Sequence, residues 1–234
     1  MLSVIDPRLP LPCQHALSSL GFTLVPLPPF PCLPQPVASH PDMLLFRMDN
    51  KLFCHRDYAP IADRQIQTIL SKTDLDLILT DDPVSDVYPH DVSLNLVFTR
   101  NILLGKTDAM AQKVKRHANS LDIPVFPVKQ GYTKCSCVVL ENAVITSDTS
   151  IAKAASKAEL DCLLISQGNV TLKGYDYGFI GGASGVYQKT VFFCGNIKKH
   201  PDEERIANFC HLHGYEVHSL SDEPLFDAGT LMFF

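Results

Sequence analysis

Apolar runs in this chain are short, and they recur in a fixed order with helix-like stretches. A helical stretch ends in Leu or His, a Gly or Asp is close behind, and an apolar strand follows. Five segments read this way: Leu20-Gly21-FTLVPL, Leu75-Asp76-LILT, Leu121-Asp122-IPVFPV, Leu160-Asp161-CLLIS and His213-Gly214-YEVHSL. Gly, or Asp in its place, suits a helix C-terminus where the chain turns sharply into an extended segment. Upstream of four of these lies a two-strand segment around a polar turn: MLLFRMDNKLFCHRD from Met43, LNLVFTRNILLGKTD from Leu94, CSCVVLENAVITSD from Cys135 and TVFFCGN from Thr190. Asn and Asp tolerate positive φ, so Asp49-Asn50, Arg100-Asn101 and Glu141-Asn142 are expected hairpin turns. Asp57, Asp108 and Asp148 stand where helix N-caps are expected. In the fourth unit Pro201-Asp202-Glu203-Glu204 opens the helix instead.

The helices carry one apolar stripe each, such as Ile61, Ile66, Ile69 and Leu70, or Ile151, Ala154, Ala155 and Ala158. The strands are apolar along most of their length, so the helices are expected to coat a central arrangement of sheets. The pattern predicts an α/β ring of five ββαβ units. Its fifth unit is split, with the helix and following strand over 14–27 and the first strand over 229–234. A strand is expected to start at Lys134–Ser136, and the prolines from Pro26 to Pro41 read as a rigid connector. An open doubly wound α/β sheet also alternates strands with helices, but it does not explain a hairpin before each helix.

At 234 residues and 46% hydrophobic, the chain suits one domain over 1–234. Its formal charge of −5 argues against nucleic acid and anionic membranes as partners, and leaves room for a small polar molecule. No apolar run approaches the roughly 20 residues of a spanning helix. The opening MLSVIDPRLPLPCQ lacks the basic start and unbroken apolar core of a signal peptide, so a soluble cytoplasmic protein is expected. The eight cysteines are scattered with no CxxC, which predicts free thiols, no metal site and no cofactor.

The ring of five units with one split between the termini resembles the pentein fold, the five-fold pseudosymmetric α/β propeller of guanidino-group-modifying enzymes. The runs GYTKCSCVVLENAVITSD, GFIGGASG and EPLFDAGT are also similar to a small bacterial group assigned to that fold, which brings no known activity with it. The resemblance implies a central site where a Cys of the fifth unit attacks a guanidinium carbon. It also implies a His of the third unit, with a carboxylate two residues on, that moves protons, while acids from earlier units hold the cation. In this chain Lys134 and Ser136 stand at the His and acid positions, and no Cys follows Cys210.

The polar residues at the expected strand starts are therefore the candidates. Lys134, Asp227, His40 and Asp42 are expected to carry chemistry, since a lysine among acids has a shifted pKa. His40 and Asp42, two apart, would share one face of an extended chain; equally, they would be a loop His and a turn Asp after the connector. Asp91, Asn95, Cys135, Ser136, Gly182, Ser184 and Thr230 are expected to line the site. Asn95 also fits a buried amide tying two units together. Gly178, Gly181, Gly182 and Gly185 lead into a strand and lack the Lys-Ser/Thr of a P-loop, so they read as a close approach of backbones. Two functions stay open. One is a hydrolase or related enzyme on a small amidine- or guanidine-like compound, and the other is a non-catalytic scaffold that binds a ligand or protein.

Overall fold

The computed structural model describes residues 1–234, and its strands form five three-stranded sheets. The chain opens with β1 (Leu2–Ile5), α1 (Leu11–Ser19) and β2 (Thr23–Pro26). The first complete unit holds a short helix α2 (Pro41–Leu44), then β3 (Leu45–Met48), β4 (Lys51–His55), α3 (Asp63–Leu70) and β5 (Asp76–Thr80). The second is β6 (Val97–Thr99), β7 (Ile102–Gly105), α4 (Gln112–Ser120) and β8 (Val125–Pro127). The third is β9 (Cys137–Val139), β10 (Ala143–Thr146), α5 (Thr149–Lys157) and β11 (Asp161–Leu164). The fourth is β12 (Ser184–Tyr187), β13 (Thr190–Phe193), α6 (Glu203–Leu212) and β14 (Glu216–Ser219). Strand β15 (Met232–Phe233) ends the chain.

In every unit the middle strand runs antiparallel to the first and parallel to the third. The split unit obeys the same rule, with β15 antiparallel and β2 parallel to β1. Backbone hydrogen bonds tie Leu2 to Phe234 in both directions, at 2.9 and 3.1 Å. The two ends of the chain thus complete one sheet.

The apolar strands have a clear purpose in this arrangement. Successive side chains of a strand point to opposite faces, and here the two faces lie in different cores. Leu52 and Cys54 of β4 join the core shared with the split unit, while Phe53 joins the core shared with the second unit. Leu103 and Leu104 of β7 divide between the cores on either side. So do Val144 and Ile145 of β10, Phe192 and Phe193 of β13, and Val4 and Ile5 of β1. The five cores are the five seams between neighbouring units, and the last joins the fourth unit to the split one. A ring of five follows.

Several local expectations change. Leu2–Ile5, given no element by the sequence pattern, is the middle strand of the split unit. The Lys134–Ser136 segment is a turn, and β9 starts at Cys137. His40 stands at the N-cap position of the short helix Pro41–Leu44 without a side-chain cap bond, so it does not share an extended face with Asp42. Asn95 precedes β6 and lies outside it. Asp148 caps α5, accepting from the backbone N–H groups of Ser150 and Ile151. Asp57 and Asp108 cap nothing; the first N–H of α4 is taken by Asp82 from the loop after β5, at 3.1 Å. Positive φ occurs at Gly21, Asp122 and Gly214 as expected, but in the third unit Glu159 takes that conformation in place of Asp161. Glu141-Asn142 turns without positive φ. No helix is long and apolar enough to cross a membrane.

Candidate active site at the ring axis

Segments that precede the first strands converge on the axis and carry most of the buried polar groups. Asn95 organises them. Its side-chain carbonyl accepts the backbone N–H groups of Lys134 (2.8 Å) and Cys135 (3.2 Å). Its amide donates to the Asp42 backbone carbonyl (3.2 Å) and lies 3.0 Å from Cys135 Sγ. Three units are fastened by one buried amide, which is the tying role.

Cys135 donates its thiol hydrogen to Asp42 Oδ2 at 3.1 Å. Burial, followed by the charges of Asp42 and Asp227, pushes that thiol well above its ordinary value. The Thr230 hydroxyl lies 3.0 Å from the same Asp42 oxygen and 2.8 Å from the Gly181 carbonyl, and it accepts from Lys134 Nζ at 3.0 Å. Burial lowers the Lys134 pKa, and the nearby carboxylate of Asp42 opposes that shift most. Asp227 accepts backbone N–H groups from Phe179 (2.8 Å) and Gly229 (3.0 Å). Burial raises its pKa, and the Asp42 charge adds to the effect.

His40, only 2% exposed, is flanked by two acids. Asp227 Oδ1 stands 3.9 Å from Nδ1, and Asp6 Oδ2 stands 3.8 Å from Nε2. Asp6 is in turn gripped by the Arg8 guanidinium. Gly182 lets the fourth unit come close: a Cβ there would sit 2.0 Å from Asp227 Oδ1.

The expected cluster of acids around one lysine is therefore distributed differently. Asp42 reaches Lys134 through Thr230, Asp227 faces His40, and Asp91 is bonded by the Tyr132 hydroxyl. Ser136 is buried with no partner for its hydroxyl, and Ser184 turns to the Gly181 carbonyl at 3.2 Å. A cavity of about 370 Å³ beside Asp6, Arg8, His40 and Asp227 meets this core, and two further openings reach it. One, of about 250 Å³, is lined by His40, Cys135 and Asp227 with walls of Tyr132, Tyr175, Tyr177 and Phe179. The other, of about 260 Å³, reaches Asp42, Lys134 and Thr230 from the side of β3, β6, β12 and β15. The aromatic walls and Asp6 were missed as site residues. For three of the four aromatics the run GYDYGF over 174–179 was the available signal, with two tyrosines and an acid between Gly174 and Gly178 and Phe179 directly after.

A family model described as "Family of unknown function (DUF6873)" matches residues 4–232. The chain belongs to that family. No curated protein matches it. Among solved structures, this DUF6873 member is similar to dimethylarginine dimethylaminohydrolase from Pseudomonas aeruginosa complexed with citrulline. The identity is 9% and the TM-score 0.60, covering 94% of this chain and 91% of that one. It is similar to the agmatine deiminase of C. jejuni at 6% identity and TM-score 0.53, covering 94% of this chain and 76% of that one. An amidinotransferase from Microseira wollei matches at 11% identity and TM-score 0.54, over 94% of this chain and 80% of that one. All three are penteins, and identities this low speak for the fold alone. The architecture of the DUF6873 chain is the pentein propeller that the repeat pattern predicts.

Proposed function

We propose that this protein takes a small amidine- or guanidine-like cation into the aromatic-walled cavity and acts on it as a hydrolase or related enzyme. One observation carries the reading: Tyr132, Tyr175, Tyr177 and Phe179 surround a cavity whose floor holds Asp227 and His40. Aromatic faces attract a planar cation, and a carboxylate at the floor fixes its orientation. The volume, about 250 Å³, suits a compact ligand. The solved structures similar to this chain are named for work on dimethylarginine, agmatine and amidino groups, which supports the same substrate class.

Hydrolysis of such a cation joins water to its central carbon and releases an amine, so it needs one group to take a proton and one to return it. His40, between Asp6 and Asp227, is placed for that exchange. Calorimetry with agmatine, arginine, methylated arginines and simple amidines, followed by assays for released ammonia or amine, tests the proposal. Micromolar to millimolar binding that Asp227→Asn weakens at least tenfold, with turnover of one compound, is the expected result. No binding across the panel, or binding indifferent to Asp227→Asn, would sink it. The Cys135 thiol is held neutral by its surroundings, and this favours a second reading in which the cavity binds its ligand without conversion. Binding without turnover supports that reading.

A further inference from the structure

The axis carries more negative than positive groups. Asp6, Asp42, Asp91 and Asp227 are each buried to about 1% exposure. Arg8 meets Asp6, and Lys134 meets Asp42 only through Thr230. Within this cluster a ring nitrogen of His40, a carboxylate oxygen of Asp42 and Cys135 Sγ all lie within 4.8 Å of one another. Two atoms there are buried with no hydrogen-bond partner, His40 Nδ1 and Asp42 Oδ1. Orphaned buried acceptors are costly, and both belong to residues at most 2% exposed.

We infer that His40, Asp42 and Cys135 form a binding site for a zinc-class divalent cation. The donor set selects the metal. A thiolate and an imidazole suit zinc or cobalt and disfavour magnesium or calcium, and one carboxylate completes a mixed set of three protein ligands. Donors around a tetrahedral ion stand about 3.5 Å apart, as bonds of about 2.0–2.3 Å require. The present spacing, within 4.8 Å, would contract to that on binding. The ion would displace the thiol proton now given to Asp42, and that proton leaves to solvent as the Cys135–metal bond forms.

Two further features fit. Asp227 flanks one nitrogen of the imidazole and Asp6 the other. Whichever nitrogen binds the ion, the opposite one faces a carboxylate 3.8 or 3.9 Å away, close to the arrangement that orients metal-binding histidines. His40 and Cys135 also both line the aromatic-walled cavity, so the fourth coordination position faces that space. Three protein ligands and one open position is the pattern of a catalytic rather than a structural ion, and an ion held there takes His40 out of the proton exchange assigned to it in the metal-free site. Chain geometry concealed the site, because its ligands come from two units and no CxxC or HxxxH spacing marks them.

The test is titration of the chelator-treated protein with Co²⁺, then competition with Zn²⁺, without any organic substrate. Its outcome is therefore separate from that of the substrate proposal. One equivalent of Co²⁺ is expected, with an intense near-ultraviolet thiolate-to-cobalt absorption that Zn²⁺ abolishes. Cys135→Ser should eliminate that absorption, and His40→Gln should weaken binding at least tenfold. Circular dichroism and melting identify variants that fold. If one does not, the other decides, since His40→Gln keeps the thiol in place. Seven other cysteines remain in Cys135→Ser, so a charge-transfer absorption surviving in that variant, or unchanged affinity in folded His40→Gln, overturns the site. Failure of the wild-type protein to take up one equivalent does the same.

Discussion

Asp227 shows how one buried carboxylate sets a pH dependence. Burial and the Asp42 charge raise its pKa, against the pull of His40 and two backbone N–H groups. Over the interval between the ordinary carboxylate value of about 4 and the raised value, the folded protein keeps a proton that the unfolded chain has released. Stability from this group is thus fully present at low pH and declines as pH rises through that interval. Asp91, raised by burial as well, acts in the same direction. Asp227→Asn has no such proton to lose, so as pH rises from about 4 its urea midpoint should fall less than that of the wild type. Equal slopes for the two proteins would remove Asp227 from the titration. The Asn side chain can still accept the Gly229 N–H but opposes a donor to that of Phe179, so a uniform loss of about 1–3 kcal/mol accompanies the flatter slope.

Single elements place these residues by close approach of backbones. The segment before β12 crosses the axis at Gly182, whose N–H donates to the Cys135 carbonyl at 2.8 Å and whose carbonyl accepts from Ala228 and Thr230. Gly182→Ala forces a methyl group against the Asp227 carboxylate, which backbone hydrogen bonds hold in place. A loss of about 1–3 kcal/mol in chemical denaturation is expected. The affinity of the aromatic-walled cavity should fall with it. A variant as stable as wild type would mean that the fourth unit is free to move outward.

The same segments explain what the sequence could disclose. Asp49 and Arg100-Asn101 turn with positive φ, and a local rule found them. The cap of α4 comes from Asp82, some thirty residues away, which no local rule finds. Lys134 to Ser136 carries the residue types of an edge strand but is bent by the Asn95 clamp, a tertiary cause. Leu2–Ile5 hid because its partner strand lies at the other end of the sequence. The polar positions at the axis were legible because buried acids, an amide and an ammonium have no place in an ordinary apolar seam. Their pairing was not, since it depends on which unit faces which.

At the scale of the molecule, each unit is stabilised by its two seams, so the ring should unfold as one body. Phe233 tests this from the closing seam, where its ring packs on Phe22, Tyr187 and Phe192 with centroids 4.8, 5.7 and 5.5 Å away. Phe233→Ala should cost about 3–5 kcal/mol. Amide exchange through global opening should accelerate in β7 of the second unit as much as in β1 beside it. Acceleration confined to the split unit would show that the units open separately.

The hydrogen-bonded series Lys134, Thr230, Asp42 and Cys135 crosses the axis between the two openings, which have no lining residue in common. This partition separates the aromatic-walled cavity from the opening on the side of β3, β6, β12 and β15. On its own side of the hub the cavity shares His40, Leu172 and Asp227 with the opening beside Asp6 and Arg8, so the floor is approached from two directions there. Whatever this propeller binds should arrive and leave on that side, and no traffic should run through the hub.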